Sequence, residues 1–146
     1  MLKFLRSKCF DYDNTLLSIK NYHNLIKSNR DYYFQPISKL SEMFSDNIIY
    51  VLPVLVKQVI TVIITPENYD STKHSYNQFL SALFHTLERI LYSEIAQITG
   101  INFIIDLQSF SIYKLKKFSP INAKKMIFYL EETFPIRYLF NYFNFK

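Results

Sequence analysis

The side chains with chemical potential in this chain are three histidines, one cysteine, one strand-end aspartate and a run of lysines. His23, His74 and His85 are scattered, and no cysteine or carboxylate stands beside them at metal-ligand spacing. Zinc and related ions need such spacing, so no metal site is expected and each histidine reads as a surface or hydrogen-bonded structural one. Cys9 is alone, which excludes an intramolecular disulfide, favours a reducing compartment and reads as a buried or half-buried structural thiol. There is no Gly-x-Ser-x-Gly elbow and no Cys/His signature. The only glycine, Gly100, cannot build a glycine-rich phosphate loop, so Walker and Rossmann sites are excluded. Asp106 ends an apolar run, where open α/β sheets often place functional groups. Without a partner base or metal it reads as a turn-stabilising residue. The expectation is a non-enzymatic protein without a cofactor.

Binding is a different matter. Between Asp106 and Glu131 stand Lys114, Lys116, Lys117, Lys124 and Lys125 and no acidic residue. Lysines near an anionic membrane contribute about 1 kcal/mol each; a solvated helix face is the other reading. Lys124 and Lys125 fall near the start of their predicted helix, and Glu131 and Glu132 near its end. That order opposes the helix macrodipole, so local helix stability does not explain the lysines. The modest net charge of +5 suits an anionic lipid surface or nucleic acid weakly, and solubility alone would account for it about as well.

The elements that must position these residues follow from periodicity. Leu16, Ile19, Tyr22, Leu25 and Ile26 predict a helix over Asp13 to Arg30, capped by Asp11 or Asp13. Pro36 opens a short helical piece, Ile37 to Phe44. From Ile48 to Ile64 the chain is almost wholly apolar, with Lys57-Gln58 in the middle. Two strands and a turn fit better than a membrane span. The run is short against roughly 20 residues, and a central lysine would cost about 2.5–3.5 kcal/mol in a bilayer. Tyr76, Phe79, Leu80, Leu83, Leu87, Ile90 and Leu91 predict one helix over Ser75 to Ala96. Ile101 to Ile105 is a strand apolar on both faces, hence central and covered by helices, which makes the fold α/β. Ser119-Pro120 caps another helix that Pro135 stops, and Ile136 to Phe145 closes the chain in an extended, aromatic-rich segment.

Composition agrees with a packed domain. Of 146 residues 49% are hydrophobic and 18% aromatic, with 12 Tyr and 14 Phe, which fits either a core or an apolar cavity. With one glycine, turns needing positive φ must use Asn, Asp or Lys. Met1-Leu2-Lys3-Phe4-Leu5-Arg6 lacks the apolar stretch of a signal peptide.

The run Gly100-Ile101-Asn102-Phe103-Ile104-Ile105-Asp106-Leu107-Gln108-Ser109-Phe110 resembles the Gly-(apolar strand)-Asp-Leu-Glu-Gly-aromatic signature of CRAL-TRIO domains. Ser119-Pro120, Ala123-Lys124-Lys125, Phe134-Pro135 and Arg137 fall where that family has Thr-Pro, Ala-Lys-Lys and Tyr/Phe-Pro-x-basic residues. Phe4-Leu5-Arg6-Ser7-Lys8-Cys9-Phe10-Asp11 is similar to its Phe-Leu-Arg-Ala-Arg-x-Phe-Asp entry, and Asn68-Tyr69-Asp70 to a His-Trp-Asp-like turn. The blocks keep their order across nearly the whole chain and point to the tocopherol-transfer-like and retinaldehyde-binding-like branch. Three positions depart from it. Leu55-Val56-Lys57-Gln58 replaces an Asp-x-x-Gly-Arg turn, Ser109 replaces the second signature glycine, and Leu139 replaces a basic residue.

The resemblance implies a mixed, mostly parallel sheet flooring an apolar pocket for one hydrophobic ligand, with phosphoinositide headgroups aiding delivery at membranes. It assigns Leu80, Leu83, Leu87, Ile101, Phe103, Ile105, Tyr129 and Leu130 to the pocket lining, and Lys8 and Arg137 to phosphoinositide contacts. Core packing is the competing role for each lining residue. The implied partners are a tocopherol-, retinoid- or phospholipid-like molecule and an anionic membrane surface, not nucleic acid. The implied location is cytoplasmic and peripheral to membranes. Residues 1–45 correspond to the end of an amino-terminal helical region, and 46–146 to part of the lipid-binding domain. The chain stops at Lys146, where the family continues into a strand carrying an Ile-x-Asn-Glu-Pro-like motif, so a truncated domain is expected.

Overall fold

Pro53 and the Lys57-Gln58 pair decide how the apolar run from Ile48 to Ile64 is used. The computed structural model describes residues 1–33, 35–107 and 120–143. Within it β1 is only Ile49–Val51 and β2 is Ile60–Ile64, paired antiparallel with Ile49 opposite Ile64. Proline has no N–H to give a ladder, and the strand ends before it. The hairpin closes on Val56 and Val59, whose N–H groups bond each other's carbonyls at 3.1 and 3.0 Å. Lys57 and Gln58 between them have φ of 52° and 65°. Positive φ at both central residues is the primed turn that matches the twist of a hairpin. Here it is made without glycine.

From β2 the chain crosses to a parallel neighbour through helices. A 3-10 turn, Pro66–Asn68, leads to α4, Tyr76–Ile90. The Ser75 hydroxyl accepts from Gln78 N–H, and the Gln78 side chain accepts from Ser75 N–H, a reciprocal cap that fixes the helix start. The single helix expected over Ser75 to Ala96 is in fact two. The chain leaves helical geometry after Leu91, and Ser93 precedes α5, Glu94–Thr99. Leu91 and Ala96 are both buried, so the apolar rhythm runs through the break and hides it. Gly100, at φ 84°, turns the chain into β3, Ile101–Asp106.

The sheet order is β1-β2-β3-β4, where β4 is Tyr138–Phe143. β3 is central, with parallel neighbours on both sides: Ile60 opposite Ile101, and Ile101 opposite Tyr138. Ahead of the sheet lie α1 (Leu2–Ser7), α2 (Tyr12–Tyr33), a 3-10 turn (Ile37–Lys39) and α3 (Ser41–Ser45). Asn29 interrupts α2 with non-helical angles. Between β3 and β4 lies α6, Pro120–Phe128, which widens into a π turn over Tyr129–Thr133. Ser119 and Lys114, Lys116 and Lys117 lie outside the described residues.

One hydrophobic cluster joins these layers. It takes Leu25 from α2, Leu40 and Met43 around α3, and Val62, Ile64, Ile101 and Phe103 from the sheet. Phe79, Leu80, Leu83, Phe84 and Leu87 enter from α4, and Leu130, Phe134 and Ile136 from the last crossover. Burying a large aliphatic or aromatic side chain is worth roughly 1.5–3 kcal/mol, so this cluster is what holds helices and sheet together.

Candidate functional site

The amino-terminal turn places the first candidate residues. Lys8 ends α1, and Cys9 and Phe10 follow with φ of 51° and 64°. The tight reversal is held by Phe10 N–H on the Leu5 carbonyl, at 2.8 Å. Asp11 then caps α2, accepting from Asn14 N–H at 3.0 Å and from its side-chain amide at 2.9 Å. Those hydrogen bonds hold its carboxyl below the usual range. An aromatic relay ties this corner to the core. Phe4 meets Tyr22 edge-on at 5.4 Å, Tyr22 meets Phe134 at 5.7 Å, and Phe134 lies 4.7 Å from Phe84.

The π turn contributes three consecutive carbonyls to the same corner. Those of Glu131, Glu132 and Thr133 accept from Lys8 Nζ at 2.8 Å, Asn21 Nδ2 at 3.1 Å and Ser18 Oγ at 3.2 Å. A helix end leaves such carbonyls without intrahelical donors, and side chains of α1 and α2 supply them. Lys8 is thus a cap as well as a cation, and its ammonium has two further protons to offer.

Arg137, exposed just before β4, donates from Nη2 to the Ile98 carbonyl and sets Nη1 3.9 Å from Sγ of Cys9, which is exposed on its left-handed turn and not buried as expected. With Arg6, Cys9, Phe10 and Ile98 it lines a cavity of about 360 Å³. Arg6 is neutralised, its guanidinium 2.6 Å from Glu94 and 2.8 Å from Gln97. Lys8 and Arg137 meet carbonyls instead, and among the described residues no carboxylate pairs with either. The Arg137 charge therefore stays available beside two exposed apolar groups, Phe10 at 65% and Ile98 at 51%. Cations next to accessible apolar surface suit an amphipathic anion such as a lipid headgroup. Arg6, Phe10 and Ile98 were not expected at a site. Phe10 reaches it only through two left-handed residues that carry no glycine signal.

The second group of candidates comes from α4, β3 and the π turn. Leu80, Leu83, Leu87 and Ile101 expose no surface, and Phe103 and Leu130 almost none. The structure brings these six into the common core. Ile105 and Tyr129 are half-buried. The Tyr129 ring packs edge-on against Phe84 at 5.7 Å. In this conformation a ligand touching Leu80 or Leu83 would have to part α4 from the sheet. Leu139, where the family resemblance has a basic residue, falls within β4.

Two of the three histidines have structural partners, and His23 is exposed. His74 Nε2 stands 2.9 Å from Asp46 Oδ2, and His85 Nε2 2.7 Å from the Gln35 carbonyl. No cluster of three metal-ligating side chains occurs among the described residues, and none of their helices is long and apolar enough to cross a membrane. Asp106 ends β3 half-buried.

Comparison with known proteins agrees with this architecture. The CRAL/TRIO domain matches residues 56–140. The chain is 32% identical over 140 residues to "Alpha-tocopherol transfer protein-like" of Homo sapiens, covering 94% of this chain and 41% of the relative. The Mus musculus protein of the same name is 32% identical over 140 residues, with 40% of its length covered. Clavesin-1 of Rattus norvegicus is 32% identical over 71 residues, 49% of this chain and 20% of that protein. The chain thus spans about two fifths of the tocopherol-transfer-like relatives. More than half of it matches one domain model: the chain belongs to the CRAL/TRIO domain family.

Proposed function

We propose that this chain binds a lipophilic small molecule and moves it between membranes without catalysing a reaction. The observation that carries this reading is the CRAL/TRIO match over residues 56–140, together with relatives named for tocopherol transfer. The ligand class is tocopherol-, retinoid- or phospholipid-like. Its contacts are Leu80, Leu83, Leu87, Ile101, Phe103, Ile105, Tyr129 and Leu130, reached by parting α4 and α6 from the sheet. Burial of apolar surface at roughly 25 cal/mol per Å² supplies the affinity. Residues 1–45 act in this reading as a helical region attached to the lipid-binding unit of residues 46–146.

Delivery uses the basic corner, where Lys8 and Arg137 meet phosphoinositide headgroups of a cytoplasmic leaflet. That neither cation meets a carboxylate among the described residues supports this. Native mass spectrometry of the chain purified from cells without detergent tests the carrier reading, which expects a retained lipid mass.

The closed state of the α4–β3 core favours one second reading, a unit that keeps the fold for interaction and holds no ligand. That reading expects ligand-free protein and no gain in melting temperature on adding tocopherol.

A further inference from the structure

We propose that a second cleft, on the outer side of α4, binds a long-chain carboxylate of the fatty-acid class. The cleft lies between the Ile37–Lys39 turn, the β1–β2 hairpin and the end of α4, and has a volume of about 800 Å³. That size falls within the roughly 300–1,000 Å³ of small-molecule sites. Phe44, Val51 and Ile60 form an apolar wall, and Ile37 and Tyr92 stand exposed at its rim. None of the eight residues assigned above to the lipophilic ligand lines it, so it is a separate site whose fate is independent of that reading.

Charge selects the occupant. Three ionisable side chains of α4 line the cleft: His85, Glu88 and Arg89. His85 is bound to the Gln35 carbonyl. Glu88 accepts from the Tyr22 hydroxyl and lies 3.6 Å from Lys3 Nζ, so its charge is already met. Arg89 is exposed, and no hydrogen bond or ion pair engages its side chain among the described residues. Its guanidinium is a planar fork that fits a carboxylate with two parallel hydrogen bonds. The last carbonyls of α4 repel an anion, so binding of the head depends on Arg89. An apolar trough ending at one unmatched arginine suits an alkyl chain with a single anionic end. A membrane face would need several cations, and a peptide would need backbone donors or acceptors along the wall.

The test uses the full chain, with cis-parinaric acid fluorescence as the probe and oleate or oleyl alcohol as competitors. Oleate is expected to displace the probe from the wild type. Arg89→Glu should weaken oleate about tenfold or more and leave oleyl alcohol unchanged. Arg89→Gln should shift oleate in the same direction by less, and decides the matter if the reversal unfolds the chain by circular dichroism. Val51→Arg, in the exposed strand wall, should weaken both competitors. Equal oleate affinity in Arg89→Glu, Arg89→Gln and wild type overturns the proposal, as does equal loss of acid and alcohol in the arginine variants. α-Tocopherol separates the two sites. If oleate displaces it competitively, the acid occupies the α4–β3 core and the outer cleft is refuted, while lipophilic binding stands. If tocopherol fails to bind but oleate responds to Arg89, the carrier reading fails and the cleft holds.

Discussion

A methyl group on Gly100 would stand 2.7 Å from the carbonyl oxygen of Arg137. That same oxygen accepts the Ile101 N–H at 2.8 Å and so starts the pairing of β3 with β4. The only glycine of the chain sits under the backbone of a residue proposed above to meet lipid headgroups.

Gly100 also has φ 84° and ψ −171°, a region that other residues enter at a cost of about 1–3 kcal/mol. Gly100→Ala is therefore expected to lower stability by about 2–3 kcal/mol and to loosen β4. Urea unfolding measures the first effect, and amide exchange at Ile101 the second. An unchanged midpoint would mean that the backbone relaxes out of the positive-φ state.

The basic corner makes a prediction with two readouts. Lys8→Glu together with Arg137→Glu should weaken binding to phosphoinositide vesicles by about tenfold or more, at about 1 kcal/mol per cation. The dependence of binding on salt should flatten as well. Because Lys8 also caps the π turn, Lys8→Met is expected to lower stability slightly even without membranes. Unchanged vesicle binding would move the lipid contact to the Lys114 to Lys125 cluster, of which Lys124 and Lys125 are exposed on α6.

Leu83 separates core from pocket. It exposes no surface, and truncation of such a leucine leaves a cavity that costs about 2–5 kcal/mol. Leu83→Ala is expected to lose about 3 kcal/mol in ligand-free urea unfolding. A loss well below 1 kcal/mol would show that the ligand-free protein already keeps open space there.

Four tyrosines predict the alkaline limb of stability. Burial raises Tyr22, Tyr69, Tyr76 and Tyr138 above the ordinary value of 10.0, with the Glu88 carboxylate adding to the effect at Tyr22. With the native pKa raised, the folded state keeps these protons after the unfolded chain has lost them. Stability from these groups is complete below pH 10 and falls as pH rises beyond it. Urea midpoints measured between pH 8 and 11.5 should be flat at first and then decline, and Tyr22→Phe should make the decline shallower.

Much of this fold is legible in local chemistry. The apolar spacing from Tyr76 to Leu91 announces α4, and the alternation of apolar run, Lys57-Gln58 and apolar run announces the hairpin. The break at Leu91 to Ser93 is not legible, because Leu87, Ile90, Leu91 and Ala96 keep one buried stripe on both sides of it. The π turn is hidden for a related reason. Its open carbonyls are satisfied by Lys8, Asn21 and Ser18, more than a hundred residues away in sequence. Spacing likewise could not show that Arg137 reaches Cys9 and Ile98, since that meeting depends on the crossover that sets β4 beside β3.

The parallel pairing of β2, β3 and β4 sets the order in which the chain can assemble. The hairpin closes through a two-residue turn, and α4 begins on its own cap, so both can form from neighbours. The sheet cannot. Residue 60 must find residue 101, and residue 101 must find residue 138, before either ladder gains a bond. Closing those loops costs entropy ahead of any contact energy, which slows folding and leaves the central strand waiting. On the ribosome, a chain that has emerged only as far as Gly100 holds a hairpin and a capped helix with most of its sheet still unmade.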